Sequence, residues 1–292
     1  LTKVLSNSKA DSASATLEGN NTYNIRFARN SISTNGFSDG LSVTISSNFG
    51  KKTGTASTNK FDDVSIKETV KKSEDIARVS PDNKEFMPPL GAQTYVNANN
   101  FSVDTENLKS EDRSERIAYV IDQAESNDVT SAGYMEDGIT FYAVQNTNGL
   151  FAYNKASMAM LSSTVRTNDG TGSGRFERNY VDINKIKGKE LADWAIKRSK
   201  LSVNPVEIKP GRYTVILEQA AAADMLSRCI NFMGSRWADE GRSYFSKKGG
   251  GTIIGEKIAD EKLNIYSDPT DLSAPASPFS DSGEPMNKVV WF

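Results

Sequence analysis

The sequence predicts an α+β fold from three features. Apolar and polar residues alternate in several stretches, as where Tyr23, Ile25 and Phe27 interleave with Asn24, Arg26 and Ala28, the periodicity of a half-buried strand. Other stretches place apolar residues three and four apart on one helical face, as at Ile117, Val120, Ile121 and Ala124. The order of these elements, helix, strand, strand, turn, strand, loop, helix, is read twice before residue 210 and suits an antiparallel sheet with helices on one face.

The first set opens with a short helix ending near Ser6. Strands follow at 13–17, at 22–28 and over Leu41, Val43 and Ile45, with Asn35-Gly36 and Asp39-Gly40 as turns between them. Residues 51–58 are polar and contain glycine, so they form an edge strand or a loop. Asp62 or Asp63 caps a helix bearing Ile66, Val70 and Ala77, which stops before Pro81, and Pro88-Pro89 extend the linker.

The second set starts with a helix over 111–124, then 130–135, a turn at Asp137-Gly138, a strand at 139–144 and a turn at Asn148-Gly149. Strands follow at 150–153 and 156–166, then a flexible glycine-rich connection at 168–174 and a strand beginning at Arg175. Asp182 precedes a helix with Leu191, Trp194 and Ala195 on one face. Phe27-Ala28 against Tyr142-Ala143, Asn35-Gly36 against Asn148-Gly149 and Ser80-Pro81 against Asn204-Pro205 are the landmarks of an internal duplication. An ordinary α+β chain without duplication is the other reading.

Composition narrows the function. Lys and Arg number 35 against 37 Asp and Glu, a net charge of -2, which gives no basic footprint for direct nucleic-acid contact. There is no histidine, so a Ser-His-Asp or Cys-His site within the chain is excluded and the commonest zinc ligand is missing. The single cysteine, Cys229, is read as a buried structural thiol, in keeping with a cytoplasmic setting. No apolar run approaches the ~20 residues of a membrane span. Asp224, Asp239, Glu240, Glu256, Asp268 and Asp281 are read as solvated carboxylates without calcium-loop spacing. The glycines at 249–251 are read as a mobile loop before a strand.

After the turn at Pro210-Gly211, the β-branched run 213–217 reads as a buried strand. It passes directly into a helix with Ala222, Leu226, Cys229, Ile230 and Met233 along one face. The junction holds Glu218, Gln219 and four alanines, none of which is a nucleophile.

VILEQAAAADML in this stretch, followed by DEGRSYFSKKGGGTIIGEKIADEKLNIYSDP and PFSDSGEP, resembles the C-terminal domain of the TldD/PmbA family, known both as metalloproteases and as modulators of DNA gyrase. NIRFARNSISTNG, TGTASTN and EDIARVSPDNKE resemble the same family's N-terminal domain. In the TldD branch a helix of this kind carries a zinc-binding His-Glu-x-x-x-His motif. Laid on it, Glu218 and Ala223 take the histidine places and Gln219 the glutamate place, so the motif is degenerate here and the resemblance is to the PmbA/TldE-like branch.

The resemblance implies domains over 1–205, with subunits 1–90 and 101–205, and over 206–292, a β-rich C-terminal domain cut short where the chain ends on Lys288 and an apolar run. It implies a non-zinc partner subunit with no cofactor of its own, docked to a TldD-like zinc peptidase subunit or to a second copy and taking unfolded peptide. Arg242, Ser243, Tyr244, Thr252, Ile253 and Ile254 are the candidate peptide-binding residues, by strand addition. An active metallopeptidase with ligands outside this segment and a regulatory, gyrase-modulating protein are the alternatives.

Overall fold

The computed structural model describes residues 1–291. Residues Leu1–Val203 and Tyr266–Trp291 form one compact unit and Asn204–Ile265 a second. The first half of the larger unit comprises α1 (Thr2–Leu5), β1 (Ser12–Ala28), β2 (Ser31–Phe49), β3 (Lys52–Thr58) and α2 (Asp63–Val79). The second comprises α3 (Val103–Glu106), α4 (Ser110–Ser126), β4 (Val129–Asn146), β5 (Phe151–Thr167), β6 (Ser173–Tyr180) and α5 (Gly188–Leu201). Asp62 caps α2 by accepting from the Ser65 amide at 2.9 Å, while Asp182 caps only a short 3-10 turn, Ile183–Lys185, ahead of α5.

The six strands form one antiparallel sheet in the order β3-β2-β1-β4-β5-β6. That order reads the same from either edge, with β1 against β4 at the centre. Side-chain packing repeats the symmetry. Gly19 lies opposite Phe141, and Phe27 lies opposite Gly133. A Cβ on Gly19 would fall 2.2 Å from the Phe141 ring, and one on Gly133 2.4 Å from the Phe27 ring. A two-fold rotation that carries Gly19 to Gly133 carries Phe27 to Phe141. The sequence landmark at Tyr142-Ala143 is therefore one residue out of register.

The helices repeat the pattern. Gly54 of β3 presses on the backbone of Ser73 and Ala77, and Gly172, just before β6, on Ser199 and Val203. Ser73 and Ser199 are both fully buried and donate to the carbonyls of Val70 and Ile196 at 2.7 and 2.8 Å. Such close helix–strand approach needs glycine because any side chain would hold the helix off the sheet.

The core lies between sheet and helices. Phe27, Met135, Leu161 and Phe176 are buried with Ile117 and Val120 of α4 and Ala195 of α5. Val43 and Ile45 are buried with Ile66 and Val70 of α2 and Val4 of α1. Each of these side chains other than Ala195 contributes about 1.5–3 kcal/mol by leaving water.

Five of the predicted turns and breaks fall inside strands. The segments 13–17 and 22–28 are one strand, β1, and the segments 150–153 and 156–166 are joined in β5. Asn35-Gly36 and Asp39-Gly40 lie within β2, opposite Ile25 and Asn24 and opposite Asn21 and Asn20 of β1, and Asp137-Gly138 lies within β4. The reversal occurs instead at Arg29 and Asn30, both left-handed at φ 52 and 56, as the favoured two-residue hairpin turn demands. Asn30 is tied to β4: its side chain donates to the Val129 carbonyl at 2.9 Å and accepts from the Ser131 amide at 2.7 Å. Turn dipeptides report local preference, and in β2 and β4 the ladder to β1 supplies backbone hydrogen bonds that outweigh it.

At the centre of the β1–β4 ladder Tyr23 lies opposite Asp137. Asp137 is fully buried and takes a two-pronged contact from Arg113 of α4, Nε to Oδ1 at 2.7 Å and Nη2 to Oδ2 at 2.6 Å. The guanidinium lies 4.0 Å from the Tyr23 ring centroid. Burial pushes the Asp137 carboxyl up, against the pull of Arg113.

The PFSDSGEP segment packs on the sheet of the larger unit. Phe279 is buried against the Tyr95 and Tyr142 rings, whose hydroxyls donate to the carbonyls of Gly283 at 2.8 Å and Asp281 at 2.9 Å. Gly283, at φ 85, sits on Leu150, where a Cβ would fall 2.8 Å from its methyl groups. The apolar run after Lys288 is paired: β7 (Tyr266–Ser267) joins β8 (Val289–Val290), and the Trp291 indole donates to Ser267 at 3.2 Å. Phe292 lies outside the described residues.

The smaller unit holds α6 (Gln219–Ile230) and α7 (Ser235–Asp239). Here three expectations are corrected. The strand expected after the glycines at 249–251 is only an isolated bridge from Ser246 to Thr252. The 213–217 run forms no strand, and Ile216 is 94% exposed. A strand needs a neighbour for its amides and carbonyls, and among the described residues none pairs with this run. The α6 periodicity is present, but no α6 residue is buried and Cys229 is exposed, so the thiol is not a core group. Among the described residues no helix is long and apolar enough to cross a membrane.

Candidate functional site

The residues that the family resemblance lays on the zinc motif sit at the start of α6. Glu218 is the N-cap residue, its carbonyl accepting from the Ala222 amide at 2.9 Å, Gln219 is the first helical residue, and Ala223 stands on the exposed second turn. Zinc takes nitrogen, sulfur or carboxylate ligands in tetrahedral array. A carboxylate, an amide and a methyl group do not make that set, and these residues do not fit the ion. Among the described residues no group of three or more Cys, Asp or Glu side chains is arranged to hold a metal.

The six candidate peptide-binding residues are brought into one small substructure after α7. Residues 243–255 double back on themselves: the Lys247 amide donates to the Gly251 carbonyl at 2.8 Å, the Ile253 amide to Phe245 at 3.0 Å, and Ser246 bridges Thr252. Gly249, Gly250 and Gly251 form the tip at φ 100, 113 and 82, a backbone that side chains resist. Lys247 and Glu256 close its base at 2.7 Å.

Two serines fasten this hairpin to its surroundings. Ser246 Oγ donates to the Ala238 carbonyl at 2.7 Å, and Ser243 Oγ donates to the Phe232 carbonyl. Ser243 thus spends its proton on the backbone, which fits an anchor and not a nucleophile. Arg242 pairs with Glu240, which also accepts from Arg236 at 3.0 Å. The hydrogen bonds from Arg236 and Arg242 hold the Glu240 carboxyl below the usual carboxylate range. The surface left for a ligand is the hairpin backbone with Tyr244 and Ile254, 81% and 84% exposed.

A second feature was not legible in the sequence. An open cleft of about 860 Å³ runs along β1, β2 and β4, with Glu18, Asn20, Asp39, Asn59, Phe61 and Phe141 among its lining residues. These residues come from four separate segments, and their only linear signal was the alternation that marked strands. Tyr142, also on its wall, has its hydroxyl pushed up, chiefly by burial.

The PmbA/TldA metallopeptidase C-terminal domain matches residues 210–292, and PmbA/TldA metallopeptidase domain 1 matches residues 13–77. No curated protein matches the chain. Among solved structures, a candidate modulator of a DNA gyrase from Thermotoga maritima superposes with a TM-score of 0.84 at 17% identity, over 96% of this chain and 64% of its own. TldE from Thermococcus kodakarensis gives 0.80 at 18% identity, with 96% and 64% coverage. A candidate modulator of DNA gyrase from Bacteroides thetaiotaomicron gives 0.79 at 16%, with 100% and 67%. At these identities the likeness establishes the fold, and the chain spans about two thirds of the length of the structures it matches. With both of its terminal regions matched to domains of one family and its fold shared with solved members, the chain belongs to the PmbA/TldD family.

Proposed function

We propose that this protein is a non-zinc partner subunit of a cytoplasmic peptidase assembly acting on unfolded peptides. The observation that carries the reading is the α6 N-terminus, where Glu218, Gln219 and Ala223 offer no zinc-ligand set in a chain without histidine. The protein's part would be to dock a zinc-bearing family member and to help hold an extended peptide, with the 243–255 hairpin as one contact surface. Bound zinc in that partner would supply the activated water; no proton transfer is assigned to a side chain of this chain.

The test is purification without chelator and without a histidine tag, followed by metal analysis, and by peptide hydrolysis assays with and without a zinc-bearing PmbA/TldD subunit. The expected result is substoichiometric zinc, no hydrolysis by this protein alone, and co-purification with the zinc-bearing subunit. Stoichiometric zinc or hydrolysis by this protein alone would overturn the reading in favour of an active metallopeptidase.

A further inference from the structure

We propose that the outer edge of β2 over residues 31–42 is a strand-addition site for an extended polypeptide segment carrying basic side chains. The two halves of the sheet differ here. β3 pairs with β2 only as far as Val43, and among the described residues no strand lies beyond it along 31–42. The corresponding edge of β5, beyond the point where β6 stops at Ala159, is covered by the chain itself. There the Ser157 amide donates to the Asn100 carbonyl at 2.9 Å, the Ser102 amide donates to Ser157 Oγ at 2.8 Å, and Gly91 bridges Gly149. One half of a near-symmetric sheet thus shows what fits such an edge, an extended segment of polypeptide, and the other half leaves the place open.

The open edge also lacks the usual guards. Exposed edges are blunted by lysine, proline or close-spaced charge. Residues 31–42 contain no Lys, Arg or Pro and one charge, Asp39. Ile32, Phe37 and Leu41 are 44%, 55% and 41% exposed along it. A stretch of this length offers about 40 Å of ladder at ~3.3 Å per residue. Backbone pairing gives affinity with little sequence demand, and alternate side chains give the preference.

Charge supplies the rest of the occupant's chemistry. Asp39, Gly40, Leu41 and Ser42 line the open cleft, which also presents Glu18 and, among the described residues, has no Lys or Arg in its lining. A segment paired along 31–42 would bring side chains to a cleft bearing two carboxylates and no cation, which favours lysine or arginine.

The probe is a fluorescein-labelled ten-residue peptide of alternating lysine and valine, titrated with the purified protein and followed by anisotropy. Hydrogen exchange locates the contact. Binding is expected to protect amides within 31–42, to weaken at least tenfold with F37K or I32K, and to weaken severalfold with D39N. An analogue N-methylated on alternate backbone nitrogens should lose binding, and a glutamate–valine peptide should bind at least tenfold more weakly. Circular dichroism checks that the variants fold, Ile32 and Phe37 being 44% and 55% exposed and Phe37 also lying 4.7 Å from the Tyr23 ring. Equal binding of the N-methylated analogue, protection elsewhere, or a dimer in sedimentation velocity that F37K dissociates would each overturn the proposal, the last by naming a second copy as the occupant. The assay needs neither zinc nor a second subunit, so its failure is distinct from failure of the peptidase reading.

Discussion

Removing one member of the Arg113–Asp137 pair should destabilise the larger unit far more than removing both. Asp137 is 0% and Arg113 4% exposed, and both carboxylate oxygens are taken by the guanidinium at 2.7 and 2.6 Å. In D137L the guanidinium stays trapped between sheet and α4 with no counter-charge. Breaking a buried pair in this way costs about 3–5 kcal/mol. At ~2–4 °C per kcal/mol for a domain of this size, Tm should fall by roughly 6–20 °C. R113M alone should cost a similar amount, because it leaves the carboxylate buried without a donor. The double variant R113M/D137L replaces both charges with side chains that can pack beneath Tyr23. Such replacements are neutral or stabilising by ~1–4 kcal/mol, so it should recover most of the loss. Urea unfolding of the four proteins, followed by fluorescence, gives the coupling energy directly. Single variants within ~1 kcal/mol of the parent, or a double variant as weak as the two losses summed, would refute the reasoning.

Three further outcomes are expected. G54A should cost about 1–3 kcal/mol or more, because its Cβ would fall 2.2 Å from the Ala77 nitrogen and the Ser73 carbonyl, both backbone atoms of α2; thermal melts check this, and G234A, open around its Cβ, is the control. F279A empties a buried site between Tyr95 and Tyr142, at a cost of about 3–5 kcal/mol, and should open 266–291 to limited proteolysis while the sheet persists. Tyr134 has its hydroxyl pushed up to about 12, first by burial and then by its hydrogen bond to Glu136. Its folded pKa lies above the unfolded value, so its stabilising contribution is complete below pH ~10 and is lost as pH rises through about 12. Ultraviolet titration should show the same phenolate absorbance for the protein and Y134F below that pH, with the one-phenolate difference appearing only as pH passes about 12.

Much of the fold could be read linearly because local spacing and burial agree there. Ile66, Val70 and Ala77 fall on the buried face of α2, and Ile117, Val120, Ile121 and Ala124 on that of α4. The misread turns share one cause. Asn35-Gly36, Asp39-Gly40 and Asp137-Gly138 have the chemistry of tight turns, yet each has a β1 neighbour across the ladder. The true turn, Arg29-Asn30, carries no glycine and is held at positive φ by the grip of Asn30 on β4, a contact about a hundred positions away in sequence. In the smaller unit the periodicity of α6 was legible and its environment was not, since periodicity says which residues share a face and not what covers it.

The sequence by itself determined the class of the fold, the family, the absence of histidine chemistry and the alanine-filled junction at α6, because these depend on residue identity and short-range spacing. Only the tertiary structure decided that two halves meet β1 to β4 about a near two-fold axis, with Gly19 and Gly133 yielding to Phe141 and Phe27. It alone decided that a charged pair lies buried at that centre, and that one edge of the sheet is covered by 90–102 while the matching edge of β2 is open. These are pairings between segments far apart in the chain. Backbone hydrogen bonding and close packing select them, and no local pattern of residues encodes them.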